Sequence, residues 1–200
     1  MPRPKSHTPT SLASAAMEVF WHHGYNATSL DDLVRSTGVS RQGIYSDFGG
    51  KRALFLSALE RYNLEVVSPA FVQVEDSSAD LGAVERYFMH QIERAESTGL
   101  PGPGCLVANT MTEIAAHDPE ICAVVNAHNE RLSTGFVNAF NNECHHQAIH
   151  LDPAQTKALA ATTVVFAQGL WSASRSTSDS KPLKNAVKHY LKLIQLGIRS

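Results

Sequence analysis

Apolar residues along this chain recur at three- and four-residue spacing almost from end to end, and no alternating run of strand length interrupts them. From Thr8, a capping hydroxyl with Pro9 behind it, Leu12, Ala13, Ala16, Met17 and Phe20 mark the inner face of a first helix that Gly24 closes. Thr28 to Phe48, TSLDDLVRSTGVSRQGIYSDF, reads as two short helices and a tight turn. Thr28 or Ser29 caps the first, Asp31 and Asp32 each sit where a capping-box acid reaches back, and Leu30, Leu33 and Val34 form its buried stripe. Gly38 supplies the left-handed residue, Val39 an apolar anchor, and Ser40 the cap of a second helix through Arg41, Gln42, Ile44 and Tyr45. Beyond Gly49 and Gly50 the pattern predicts helices from about Lys51 to Val67, Leu81 to Thr98, the stretch after Gly104, Pro119 onward, Ala154 to about Ser174, and Leu183 to Ile198. Ser68 to Asp80, with Pro69 and the run EDSSAD, reads as a loop or frayed helix end, and Gly99 to Gly104 is a Pro/Gly break.

The polar side chains around the Gly38 turn carry the first chemistry. Arg41 and Gln42 fall in the first turn of the second short helix, and these two residue types make bidentate contacts to guanine and adenine edges in the major groove. Thr28, Ser29 and Ser40 place hydroxyls and helix N-termini where phosphates dock, Gly43 lies on the same turn, and Tyr45, Ser46 and Lys51 are further phosphate candidates. An ordinary helical hairpin with exposed polar residues is the alternative.

The segment from Ala16 to Leu59 resembles the N-terminal DNA-binding domain of the TetR/AcrR transcriptional regulators. Phe20, Gly24, Thr28, the LDDLV run, Gly38, Val39, Ser40, Tyr45, Phe48, Lys51, Leu54 and Phe55 carry the match in order and without gaps. Arg52 stands where the family commonly has an acid, and Asp47 adds a negative charge beside the second helix. The resemblance implies an all-α chain of about nine helices. A helix-turn-helix DNA-binding domain over residues 1 to 50 would precede an effector-binding and dimerisation domain over residues 51 to 200. It also implies a homodimer through the last two helices, for which an intramolecular core is the alternative.

Charge agrees with that division. The chain of 200 residues carries a net charge of -2, yet residues 1 to 52 hold six Lys/Arg against four acids. A slightly basic first part on an acidic remainder suits local contact with double-stranded DNA rather than coating of any polyanion. The arm with Arg3 and Lys5 can follow DNA or lie disordered. No stretch reaches the roughly 18 to 20 apolar residues of a membrane span, and the N-terminus lacks the apolar core of a signal peptide, so a cytoplasmic protein with no membrane partner is expected.

Residues 104 to 121, GCLVANTMTEIAAHDPEI, resemble the ligand-binding domain of one TetR/AcrR subgroup in their Gly-Cys-Leu start and the Asn, Glu and Pro that follow. Asn109 and Glu113 can hydrogen-bond an effector or hold helices together. Cys105, expected in a first helical turn, is either a reactive sensor or a small buried residue. His128 on an apolar face reads as a core histidine or a ligand contact, and Phe88, Met89, Val125, Phe136, Phe166 and Trp171 can line an apolar pocket or simply fill the core. Cys144, His145, His146 and His150 lack the spacing of a zinc motif, and no metal or cofactor is expected. The function expected is an effector-responsive repressor released from a palindromic operator by a small molecule. The alternatives are a cysteine-based electrophile or oxidant sensor, or a cysteine enzyme built from Cys105 with His117 or His128.

Overall fold

A computed structural model describes residues 7–199, so the arm bearing Arg3 and Lys5 lies outside the described residues. Among the described residues there are ten α-helical segments and no strand: α1 Pro9–His23, α2 Leu30–Thr37, α3 Arg41–Phe48, α4 Lys51–Tyr62, α5 Ser68–Glu75, α6 Leu81–Thr98, α7 Leu106–Glu113, α8 Pro119–His146, α9 Pro153–Ala173 and α10 Lys181–Arg199. A π-turn, Asn63–Val67, joins α4 to α5 without a break, so residues 51–75 form one helical run, and counting it once gives the nine helices expected.

That run corrects the loop or frayed helix end expected over Ser68 to Asp80, since the chain stays helical to Glu75 and only residues 76–80 are irregular. Pro69 lacks an N–H and its ring crowds the carbonyl four residues back, which ordinarily stops a helix. Here the wider π-turn directly before it loosens the ladder at the point of conflict, and Ala70, Phe71 and Val74 are buried beyond it. The helix therefore survives its proline.

The chain divides into two compact units, one of residues up to Val67 with Leu106–Val125, the other of Ser68–Cys105 with Asn126–Ser200. In the first, α1 packs on α2, α4 and α7, and α3 packs on α4. Its centre is aromatic: Phe20 and Tyr25 each lie 4.8 Å from the Phe55 ring, and Trp21 meets Tyr62 at 4.9 Å. Leu33 and Ile44, the inward residues of the two short helices, are fully buried, and Val39 fills the turn between them.

In the second unit Phe71, Tyr87, Phe88, Phe136 and Trp171 form a continuous ring cluster. Phe71 and Phe136 meet edge-on at 5.5 Å, and Phe88 lies 6.1 Å from Trp171. Phe166 touches Phe88 edge-on at 5.6 Å and stacks on Tyr190 at 3.9 Å, tying α9 to α10. Rings in such offset and edge-on arrangements add packing energy beyond the area they bury.

Candidate nucleic-acid interface

Local capping builds the two short helices. Ser29 accepts the Asp32 N–H and Asp32 reaches back to the Ser29 N–H, completing a capping box, while Gly38 ends α2 at φ 70°. Ser40 then accepts the Gly43 N–H at 3.1 Å and starts α3. Gly43 is required by space, since a Cβ there would stand 2.8 Å from Val39 Cγ1. Ile44 turns inward, Gln42 and Ser46 project from the opposite side of this eight-residue helix, and Arg41 and Tyr45 are exposed on its flank, with 54% of Tyr45 open to solvent.

The remaining candidates are placed less uniformly. Ser29 and Ser40 are exposed at their helix starts, but Thr28 is buried and its hydroxyl donates to the Gly24 carbonyl at 2.6 Å, inside the turn between α1 and α2. Lys51 opens α4 with its ammonium 4.2 Å from the Tyr25 ring centroid. Burial lowers the Lys51 pKa and the Glu113 carboxylate partly restores it. Asp47 does not present its charge outward, because its side chain is covered and sits 3.0 Å from His7 Nε2.

Two ionic contacts that sequence reading missed brace this unit. Arg41 donates to Asp31 through Nε at 2.9 Å and Nη2 at 2.6 Å. Arg52 forks onto Asp118 at 2.6 and 2.8 Å and also reaches Glu120. Hydrogen bonding from Arg52 holds the Asp118 carboxyl down to about 2, while Asp118 also accepts the Glu120 and Ile121 N–H groups at the start of α8. The unexpected basic character of Arg52 was the signal available for the second pair; nothing in the spacing announced the first.

Glu113 has a definite structural role. Its carboxylate accepts the Tyr25 N–H at 2.9 Å and the Asn26 N–H at 2.6 Å, clasping the turn that follows α1. Gly24 leaves room for it, since a Cβ there would lie 3.0 Å from Glu113 Oε2. Of the other effector candidates, buried Asn109 and Val125 belong to this first unit, whereas Phe88, Met89, Cys105, His128, Phe136, Phe166 and Trp171 belong to the second. Cys105 is buried one residue before α7 rather than in its first turn. His128 is also buried, and desolvation aided by Arg131 lowers its pKa to about 4, so the ring is neutral at pH 7. Among the described residues no group of three or more His, Cys, Asp or Glu side chains is placed to hold a metal ion.

Comparison with known proteins gives this geometry its family. The sequence profile of bacterial regulatory proteins, tetR family, matches residues 12–58. An uncharacterized HTH-type transcriptional regulator of Bacillus subtilis, YezE, is 30% identical over 136 residues, covering 68% of this chain and 70% of that protein. The HTH-type transcriptional repressor ComR of Escherichia coli is 33% identical over 121 residues, 60% of this chain and 57% of that protein. A cysteine mutant of the TetR family transcriptional regulator CifR, solved with 26-base-pair double-strand operator DNA, shares the fold at a TM-score of 0.78, with 21% identity over 95% of this chain and 98% of that one. With the two capped short helices, the Gly38 turn and the likeness to YezE over most of both chains, this chain belongs to the tetR family of bacterial regulatory proteins.

Proposed function

We propose that the protein is a repressor that binds a palindromic operator through α3 and leaves it when a small molecule binds the helical body. The observation that carries the reading is the exposed face of α3: a Ser40-capped N-terminus with Arg41, Gln42, Tyr45 and Ser46 outward over a buried Ile44. An α-helix presented in this way fits the major groove, where Arg and Gln read base edges and hydroxyls with free N–H groups hold phosphates. Ser29, Gly43 and Lys51 complete the proposed DNA-facing set, while Thr28 shapes the turn from within. Residues 1–50 are the proposed reading domain and residues 51–200 the effector and dimerisation domain.

The aromatic cluster of the second unit is the proposed effector region, with Phe88, Met89, Phe136, Phe166 and Trp171 as apolar contacts and neutral His128 as a hydrogen-bonding group. A partly apolar small molecule matches that chemistry. It acts by binding one arrangement of the dimer better than the DNA-bound one, because only a difference in affinity shifts an equilibrium. The homodimer is proposed to form through α9 and α10, where Val165, Leu193 and Leu196 are each more than 60% exposed. No described helix is long and apolar enough to cross a membrane, and the proposed place of action is the cytoplasm.

The test is fluorescence anisotropy on DNA fragments flanking the protein's own gene, with Arg41→Ala and Gln42→Ala beside the parent chain. Competitor-resistant binding that drops at least about fivefold in Arg41→Ala supports the reading, since one lost bidentate contact is worth about 5- to 150-fold. Equal retention of every fragment by both variants contradicts it.

A further inference from the structure

The first turn of α2 carries two adjacent acids with different partners. Asp32 closes the Ser29 capping box and pairs with Arg35. Asp31 instead meets Arg41, the first residue of α3, fork to fork, with Nε···Oδ1 at 2.9 Å and Nη2···Oδ2 at 2.6 Å. A planar guanidinium has two edges able to make paired hydrogen bonds. The carboxylate occupies the Nε–Nη2 edge and leaves the Nη1–Nη2 edge at the tip, which is the edge that matches guanine O6 and N7. The Arg41 and Asp31 side chains are 59% and 67% exposed, so the pair contributes little to folding. Its place at the start of the proposed recognition helix is what gives it a use.

We propose that Asp31 is a positioning residue for operator readout: it holds the Arg41 guanidinium with its tip edge presented, and so sets a guanine preference without touching DNA. The inference rests on the reading of Arg41 as a base-reading residue. An unpaired arginine loses rotamer freedom when it docks on a base, whereas one already held by a fork loses less. The same carboxylate offsets the Arg41 charge and weakens its pull on phosphates. Removing the negative charge therefore has two opposite effects. Discrimination at one guanine falls, and affinity for unrelated duplex rises with a steeper dependence on salt. Damage to the fold would lower both.

The experiment selects binding sites for the full chain from a library of random 20-base-pair duplexes, in parallel for the parent, Asp31→Asn, Asp31→Ala and Arg41→Ala. The parent-selected duplex is then titrated by fluorescence anisotropy with each guanine replaced in turn by 7-deazaguanine, beside an unrelated duplex at two salt concentrations, with thermal melting as the folding control. The parent is expected to lose about 5- to 150-fold at one guanine per half-site. Both Asp31 variants should cut that discrimination by about 3- to 10-fold at that position alone, bind the unrelated duplex more tightly and melt like the parent. Arg41→Ala should abolish the preference. If Arg41→Ala keeps every guanine preference, the base-reading assignment fails and takes the inference with it. If Arg41→Ala removes the preference while the Asp31 variants keep or sharpen it, Arg41 reads the base but Asp31 does not position it, and the inference alone is overturned.

Discussion

Replacing Glu113 with glutamine isolates the clasp on the turn after α1. The carboxylate receives two backbone N–H groups, from Tyr25 at 2.9 Å and Asn26 at 2.6 Å. An amide of the same shape keeps one acceptor and turns an NH2 toward the other donor. A hydrogen bond to a charged group contributes about 1.5–3 kcal/mol where water is excluded and less where it is not. The Tyr25 bond is part-buried and the Asn26 bond exposed, so the net loss should be about 2 kcal/mol. For a chain of this size that lowers the melting temperature by about 4–8 °C. Calorimetry measures the shift, and amide exchange at Tyr25 and Asn26 locates it, because loss of the clasp should speed exchange at those two turn positions before it does so in α1. A Glu113→Gln protein that melts within about 1 °C of the parent, with unchanged protection at Tyr25, would refute the clasp as the role of this carboxylate.

Three further outcomes follow from packing and charge. His128 is neutral in the fold at pH 7 with its pKa lowered to about 4, while the unfolded chain binds a proton near 6.5, so stability is complete above 6.5 and falls by about 3 kcal/mol as pH drops toward 4. Denaturant titrations between pH 7 and 4 should show a flatter dependence in His128→Gln. Gly135→Ala places a Cβ 2.7 and 2.8 Å from the fully buried Phe71 ring. The helix-propensity gain of about 1 kcal/mol should be outweighed by overpacking of about 1–3 kcal/mol, so the midpoint of urea unfolding should decrease. Lysines at both Leu193 and Leu196, which are 65% and 63% exposed on α10, should convert the proposed dimer to monomer in sedimentation at unchanged helix content, whereas a sequence-neutral sedimentation profile would place the interface elsewhere.

Much of the fold was legible because its signals are local. The α6 bounds, the Ser29 and Ser40 caps and the Gly38 turn all follow from residues within four positions of one another, and helix ends differ elsewhere by one or two residues, as fraying allows. The α5 helix was not legible, since a proline was tolerated through a π-turn whose only sequence trace is the apolar run around it. The site divides in the same way. Exposure of Gln42 and Ser46 opposite Ile44 follows from the period of α3, while the partners of Arg41, Arg52 and Glu113 lie 10, 66 and about 87 residues away and depend on how helices meet. Two neighbouring acids illustrate the limit: spacing offered Asp31 and Asp32 equally as capping residues, and only Asp32 closes the box.

Hydroxyl-radical footprinting of the purified chain on the DNA flanking its own gene tests the central claim most directly. Two α3 helices held by a dimer across neighbouring major grooves should protect two symmetric patches about one turn, or roughly 34 Å, apart, at competitor excess, and the pattern should vanish in Arg41→Ala. Uniform, salt-sensitive protection of every fragment, unchanged in Arg41→Ala, would contradict the assignment of α3 as the operator-reading element.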